Sequence, residues 1–369
     1  MKEKAKLKVS WANPDICSED SDSLKECFDS HWISQGAKVE EFERLVALYS
    51  NRKYCVAVNS GSSALVCLLI ALGVSNTCEI IIPAMSFIAV PFAVTMSGAL
   101  PVLADISRDT GMIDAKTVLP CISTRTRAVI GIDYSGFAND WSDISSLCED
   151  RGIILMIDAA SSFLAHTNST PAGSFGKAAI FSFHAAKPLT TGEGGAIVTD
   201  DENLALLLRQ IRNHGETPGK KYSYDVFGGN YRLTDLAASL GISQIRRKEQ
   251  ILSNRRQVIS YYLEKDALRN LALEAYKDSR FKSNGFTFTI LSQYRERLRE
   301  TLSRHGIETR VMWPYCVDHQ PVYGQLPFRL IGEVNSARYF SGTCVSLPVH
   351  SGISKEEIDY IAQVIEETI

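Results

Sequence analysis

FSFHAAKPLTTGEGGAIVTD, residues 181–200, decides how the chain is read. Ala178 to Phe183 has the apolar run of a short buried strand, and Ala196 to Thr199 has another. Between them, small and polar residues with Gly192, Gly194 and Gly195 predict a tight loop that projects Lys187. An amine that attacks an aldehyde must be partly desolvated, so that its neutral form is accessible, and held on a short rigid loop. A lysine beside a Gly-rich turn can also be a solvated surface residue. Its surroundings decide between the two.

Outward from this stretch the pattern is one of alternating strands and helices. Strands are predicted at Tyr54–Val58, Glu79–Ile82, Pro101–Ala104, Ala128–Ile132, Ile153–Ile157, Ala178–Phe183 and Ala196–Thr199. Helical periodicity lies between the earlier ones, at Ser62–Leu72, Phe87–Met96, Ala115–Leu119 and Trp141–Asp150. The expected fold class is therefore α/β, a mainly parallel seven-stranded sheet between helices, with functional groups gathered at the carboxyl ends of its strands. Ahead of it, residues 1–20 read as extended, followed by short helices at Asp22–Trp32 and Val39–Ser50. After Asp200 come helices at Glu202–Asn213, Leu233–Lys248 and Gln250–Lys265, then a smaller α+β portion from about Leu271. The division expected is residues 1–250 as the large domain and 251–369 as the small one.

The chain has 369 residues, enough for about two domains, and its 45% apolar and 22% charged content argues against disorder. A net charge of −3 without long runs of one sign suggests neither nucleic acid nor a membrane surface as partner. The nine cysteines form no C-x-x-C pair, so no metal site is expected. Their odd number, with an N-terminus lacking an apolar segment, reads as reduced thiols in a cytoplasmic protein without signal peptide.

Four stretches carry chemistry. NSGSSAL, Asn59–Leu65, lies where a strand hands over to a helix, and its free amides and hydroxyls suit a phosphate as well as a helix cap. IILMIDAASS ends a buried strand with Asp158, which either caps the next segment or meets a buried cation. Paired with Lys187, it suggests a carboxylate holding a proton on a heterocyclic nitrogen, which makes the ring an electron sink. PAMSFIAV places Phe87 after a strand, as core packing or as a face on which a planar ring stacks. In GGNYRLTDLAASLGISQI, Thr234 or Asp235 can cap a helix, but capping does not explain Asn230 and Arg232.

With these residues in view, the chain from roughly Trp11 onward resembles the DegT/DnrJ/EryC1/StrS sugar aminotransferases, fold-type I enzymes dependent on pyridoxal phosphate. SGS-AL, P-x-x-S-F, a strand ending in DAA, SFH-x-x-K with TTGEGGA, RNHG, GGNYRLTD and a late SLPVH occur in the family's order. The resemblance implies that Lys187 forms the internal aldimine with pyridoxal 5'-phosphate and shuttles protons, and that Asp158 pairs with the pyridinium nitrogen. It also implies that Phe87 stacks on the ring and that Gly61, Ser62 and Ser182 hold the phosphate. Asn230 would reach the other subunit's phosphate in a homodimer with shared active sites. Ser161 stands where the family usually has Gln or His, too short for the same contact with the cofactor's ring oxygen. Relatives that dehydrate C3 of a 4-keto sugar carry His at the aldimine position; here it is Lys187.

The activity implied is a two-stage transamination. L-Glutamate gives its amino group, leaving pyridoxamine 5'-phosphate, which then aminates a keto group of a nucleotide-linked (deoxy)sugar. Arg232 and Arg310 are candidates for the donor carboxylate or the sugar's diphosphate, since a guanidinium fits both. His184, His319 and Tyr323 are further candidates near substrate. A keto-cyclitol or other small ketone as acceptor, and a non-catalytic regulatory homologue that binds the cofactor, remain as alternatives. The motifs leave open the sugar, the nucleotide and whether C3 or C4 is aminated.

Overall fold

The seven apolar runs form strands in the computed structural model of the chain, which describes residues 8–369. They are β1 (Tyr54–Val58), β2 (Glu79–Pro83), β3 (Leu100–Ala104), β4 (Thr126–Ile132), β5 (Ile154–Asp158), β6 (Ala178–Ser182) and β7 (Gly195–Thr199). Further along are β8 (Phe288–Leu291), β9 (Arg329–Leu330) and β10 (Cys344–Leu347). The large sheet has eight strands, in the order β1-β7-β6-β5-β4-β2-β3-β9, where seven were expected. The eighth, β9, pairs in parallel with β3 through two residues only. It is too short to carry an apolar run, and Arg329 secures it by donating at 2.7 Å to the buried Glu79 carboxylate and at 2.7 Å to the Cys121 carbonyl.

Strands β3, β2, β4, β5 and β6 run parallel, whereas β7 is antiparallel to both β1 and β6. β1 therefore points the same way as β6. The carboxyl ends of β1, β4, β5 and β6 and the beginning of β7 consequently meet at one edge of the sheet. Gly195 is opposite Ser182 on one side and Val58 on the other, while Asp158 neighbours Ile132 and Ile180. These strands are almost wholly buried, as the helices on both faces require.

The first helix is Ser18–Asp29, displaced toward the N-terminus from the expected Asp22–Trp32. Asp20 explains the start: its carboxylate accepts from the Cys17 amide at 3.0 Å and, buried, from Arg247 at 2.7 Å and Gln244 at 3.0 Å. His31, with φ +57°, stops the helix before Trp32. The extended reading of residues 1–7 lies outside the described residues, and residues 18–20 are helical.

A second hydrophobic cluster forms around β8 and β10, which pair antiparallel, and the helices Lys248–Leu263, Arg295–Arg304 and Lys355–Glu366. The two clusters meet inside Lys248–Leu263: Ile251 and Leu252 belong to the sheet's core, Val258 and Ile259 to the smaller one. The chain then returns, since Cys316, Val317, Tyr323, Val334 and Phe340 pack with the large core. Among the described residues no helix is long and apolar enough to cross a membrane, and all nine cysteines are unpaired.

Candidate active site

The loop between β6 and β7 starts and ends at one point, because Ser182 and Gly195 are paired across the two strands. It is tied to its own backbone throughout. The Phe183 amide donates to the Gly194 carbonyl at 2.9 Å, and the Phe183 carbonyl accepts from the Thr191 amide and from Thr190 Oγ1, each at 3.0 Å. The Lys187 amide donates to the His184 carbonyl at 2.8 Å, and the Ala186 amide to His184 Nδ1 at 3.1 Å. His184 thus makes a structural hydrogen bond while also lining the cavity, with Nε2 3.7 Å from Glu193.

Lys187 projects from this loop into a cavity of about 380 Å³, lined as well by Gly61, Ser62, Phe87, Asp158, Ser161 and Ser182. Eight of the residues singled out in the sequence thereby come together. Burial lowers the Lys187 ammonium to about 8, with Asp158 opposing the shift. The Asp158 carboxyl is pushed up to about 6 by burial, against the pull of the Ala160 amide and of Lys187. One Asp158 oxygen accepts from that amide at 3.0 Å. Among the described residues the other oxygen has no donor, which leaves an acceptor for a protonated group in the cavity.

The Ser60 hydroxyl caps the helix Gly61–Ala71 by accepting from the Ser63 amide at 3.0 Å. The amides of Gly61 and Ser62 precede the helix's own hydrogen bonds, so they stay available to an anion, with the macrodipole reinforcing them. Gly61 packs against Ser182: a Cβ on it would come within 3.1 Å of Ser182 Cβ. Phe87 is 53% exposed at the cavity, an apolar ring that no core covers.

Asp133, at the carboxyl end of β4, also lines the cavity and was missed from sequence. Its signal was present, since AVIGI followed by Asp133 repeats the pattern of IILMI followed by Asp158. Its carboxylate accepts from Trp141 Nε1 at 3.1 Å, the Asn139 amide at 3.0 Å and Ser162 Oγ at 2.5 Å. Ser161 donates its hydroxyl to the Asp133 carbonyl at 2.9 Å, so that hydroxyl is committed to the end of β4. Phe286, Met312 and Trp313 complete the walls from the C-terminal part of the chain. Trp313 holds φ +60°, uncommon for a bulky residue, with its ring centroid 5.1 Å from that of Tyr134.

The remaining candidates do not line this cavity. Tyr323, expected near substrate, is instead a core residue 2% exposed, its hydroxyl 2.9 Å from Thr95 Oγ1 and its ring against Phe92 and Phe328. His319 is exposed beside Asp318 at 3.8 Å, and Arg310 lies over the Trp11 ring at 5.7 Å. Arg232 donates to Asn213 Oδ1 at 2.5 Å. Asn230 is exposed on the segment running past the end of β1, where its carbonyl accepts from Asn59 Nδ2 at 3.4 Å.

The donor set fits pyridoxal phosphate: an amine on a fixed loop, a buried carboxylate with a free oxygen, unpaired helix amides with hydroxyls for a phosphate, and an open aromatic face. The chain is 30% identical over 98% of both lengths to GDP-perosamine synthase of Caulobacter vibrioides. Its fold matches the PLP form of Spr1654 from Streptococcus pneumoniae, with TM-score 0.91, 26% identity and 98% and 100% of the two chains covered. It also matches GDP-4-keto-6-deoxymannose-3-dehydratase (ColD), solved with bound GDP-perosamine, with TM-score 0.88, 25% identity and 97% and 100% covered. The model of the DegT/DnrJ/EryC1/StrS aminotransferase family matches residues 14–366, and the chain belongs to that family of fold-type I, pyridoxal-phosphate-dependent enzymes.

Proposed function

We propose that this aminotransferase moves an amino group from L-glutamate to a keto group of a nucleotide-linked sugar. The observation that carries the reading is the meeting of Lys187 and Asp158 in one cavity at the carboxyl edge of the sheet. Bound pyridoxal phosphate supplies the carbonyl carbon that carries the amino group and a ring that delocalises charge left on a substrate carbon. Lys187 would hold that carbonyl carbon covalently, with loss of water, and, once displaced by an amine substrate, would pass the proton from the donor's α-carbon on to the cofactor. In the second half it returns a proton to the sugar carbon. A value near 8 leaves a useful fraction of neutral amine at pH 7 for the first task and an ammonium for the second.

Asp158 stays mostly ionised at pH 7, as a carboxylate holding a proton at a ring nitrogen must be. Gly61, Ser62 and Ser182 take the phosphate, and Phe87 covers the ring. Asn230 follows a segment with exposed Tyr222, Tyr224 and Phe227, an apolar surface suited to a second copy of the chain. That supports a homodimer in which Asn230 serves the partner's site. In this reading the large and small domains divide within the helix Lys248–Leu263, near residue 250, where the two cores meet.

The relative named for GDP-perosamine makes a GDP-linked keto sugar the first acceptor to test. Protein loaded with pyridoxal phosphate is mixed with L-glutamate and GDP-4-keto-6-deoxymannose, then with UDP- and dTDP-linked keto sugars and keto-cyclitols. Formation of 2-oxoglutarate together with an aminated nucleotide sugar, both detected by mass spectrometry, supports the proposal. Amination of a cyclitol alone, or no 2-oxoglutarate, contradicts it.

A further inference from the structure

Lys187 Nζ lies 4.3 Å from the centroid of the Phe286 ring. Among the described residues it makes no hydrogen bond or ion pair. Phe286 is 4% exposed and is held firmly. Its amide donates to Asn284 Oδ1 at 3.0 Å, and Asn284 Nδ2 donates to the carbonyls of Ser161 and Phe163 at 2.9 and 3.0 Å. The backbone that carries the ring is therefore fixed to the turn that follows Asp158. Gly285, with φ +75°, leaves no room for a side chain, since a Cβ there would come within 2.5 Å of Arg255 Cβ. Behind Phe286 stands Trp11, edge to face, with centroids 6.0 Å apart and planes at 83°. Nothing in this arrangement offers the ammonium an oxygen; what it offers is an aromatic face.

The geometry points to Phe286 as a positioning residue for Lys187, its ring holding the side chain in the protonated, unattached form between the two proton transfers. The inference rests on the reading of Lys187 given above. An ammonium over an aromatic face is attracted by the ring's quadrupole, most strongly where water is excluded. The neutral amine gains much less. Phe286 thus favours the form that must next deliver a proton, and it limits where Nζ can wander while a substrate occupies the cavity. The charged and titratable groups sharing that cavity are Asp158 from β5, Asp133 from β4, and His184 and Glu193 from the lysine's own loop.

The test uses the full-length apoprotein, labelled with acetic anhydride across pH 6–10, with Lys187 followed by peptide mass spectrometry. Phe286→Leu keeps the apolar wall but removes the quadrupole. The midpoint for Lys187 should fall by roughly 0.5 to 1 unit, and labelling at pH 7 should rise about 2.5- to 5-fold. Phe286→Tyr should keep the wild-type midpoint. Should the leucine variant not fold, pentafluorophenylalanine at position 286 keeps the shape while reversing the quadrupole, and the same fall is expected. An unchanged midpoint in the leucine or fluorinated protein overturns the inference. Prior addition of pyridoxal phosphate to the wild type should protect Lys187. Protection with an unchanged midpoint overturns the inference alone, whereas no protection overturns the reading of Lys187 and the inference with it.

Discussion

Gly195 lies so close to the peptide after Ser60 that a Cβ on it would come within 2.3 Å of the Ser60 carbonyl oxygen and 2.6 Å of the Gly61 nitrogen. The start of β7 therefore braces the turn that leads into the helix Gly61–Ala71. Gly195→Ala must push that turn away, an overpacking that costs about 1–3 kcal/mol. The expected outcome is a lower melting temperature for the apoprotein and pyridoxal phosphate binding weakened at least about 10-fold. Thermal denaturation and a cofactor titration measure the two effects, and wild-type behaviour in both would refute the bracing role.

Asp133 and Asp158 are carboxyls one strand apart, and burial pushes Asp133 up to about 7 despite its three donors. Its folded value lies above the ordinary carboxylate value of 3.8, so the unfolded chain gives up this proton first. The stability involved is present at low pH and is lost as pH rises from about 4 to about 7. Asp133→Asn removes this titration. The melting temperature of the wild type minus that of the variant should fall across this window and be flat above it; a constant difference would contradict the assignment.

Glu79 is 1% exposed and accepts from Ser123, Arg125 and Arg329. Arg329→Ala weakens the compensation of a buried carboxylate and loosens the edge strand β9. A destabilisation of about 1–3 kcal/mol is expected, measured by urea denaturation. In Glu79→Gln the same arginine change should cost less, because the two residues are in direct contact.

Most of the sheet was legible in the sequence because its strands are fully buried apolar runs separated by turns. Strand ends were legible for the same reason, and with them Asp158 and the Lys187 loop. Asp133 ends its apolar run as Asp158 does, but its ties to Asn139, Trp141 and Ser162 are made by folding and leave no local pattern. Phe286 and Trp313 were not readable, since they reach the cavity from the C-terminal part of the chain through tertiary packing that no local period encodes. β9 escaped because two residues cannot show alternation. Tyr323 misled because its stretch is rich in turns, whereas its ring is carried back into the large core with Cys316 and Val317. Asn230 lies outside the cavity of a single chain, and its proposed role requires a second copy.

Lys187 is proposed as the residue that bonds the cofactor, and this can be read directly on the protein. Protein loaded with pyridoxal phosphate is reduced with borohydride, digested and mapped by mass spectrometry. A phosphopyridoxyl group is expected on Lys187, one per chain, and is expected to be absent from Lys187→Ala. Modification of another lysine, or none, in folded and loaded wild-type protein would contradict it.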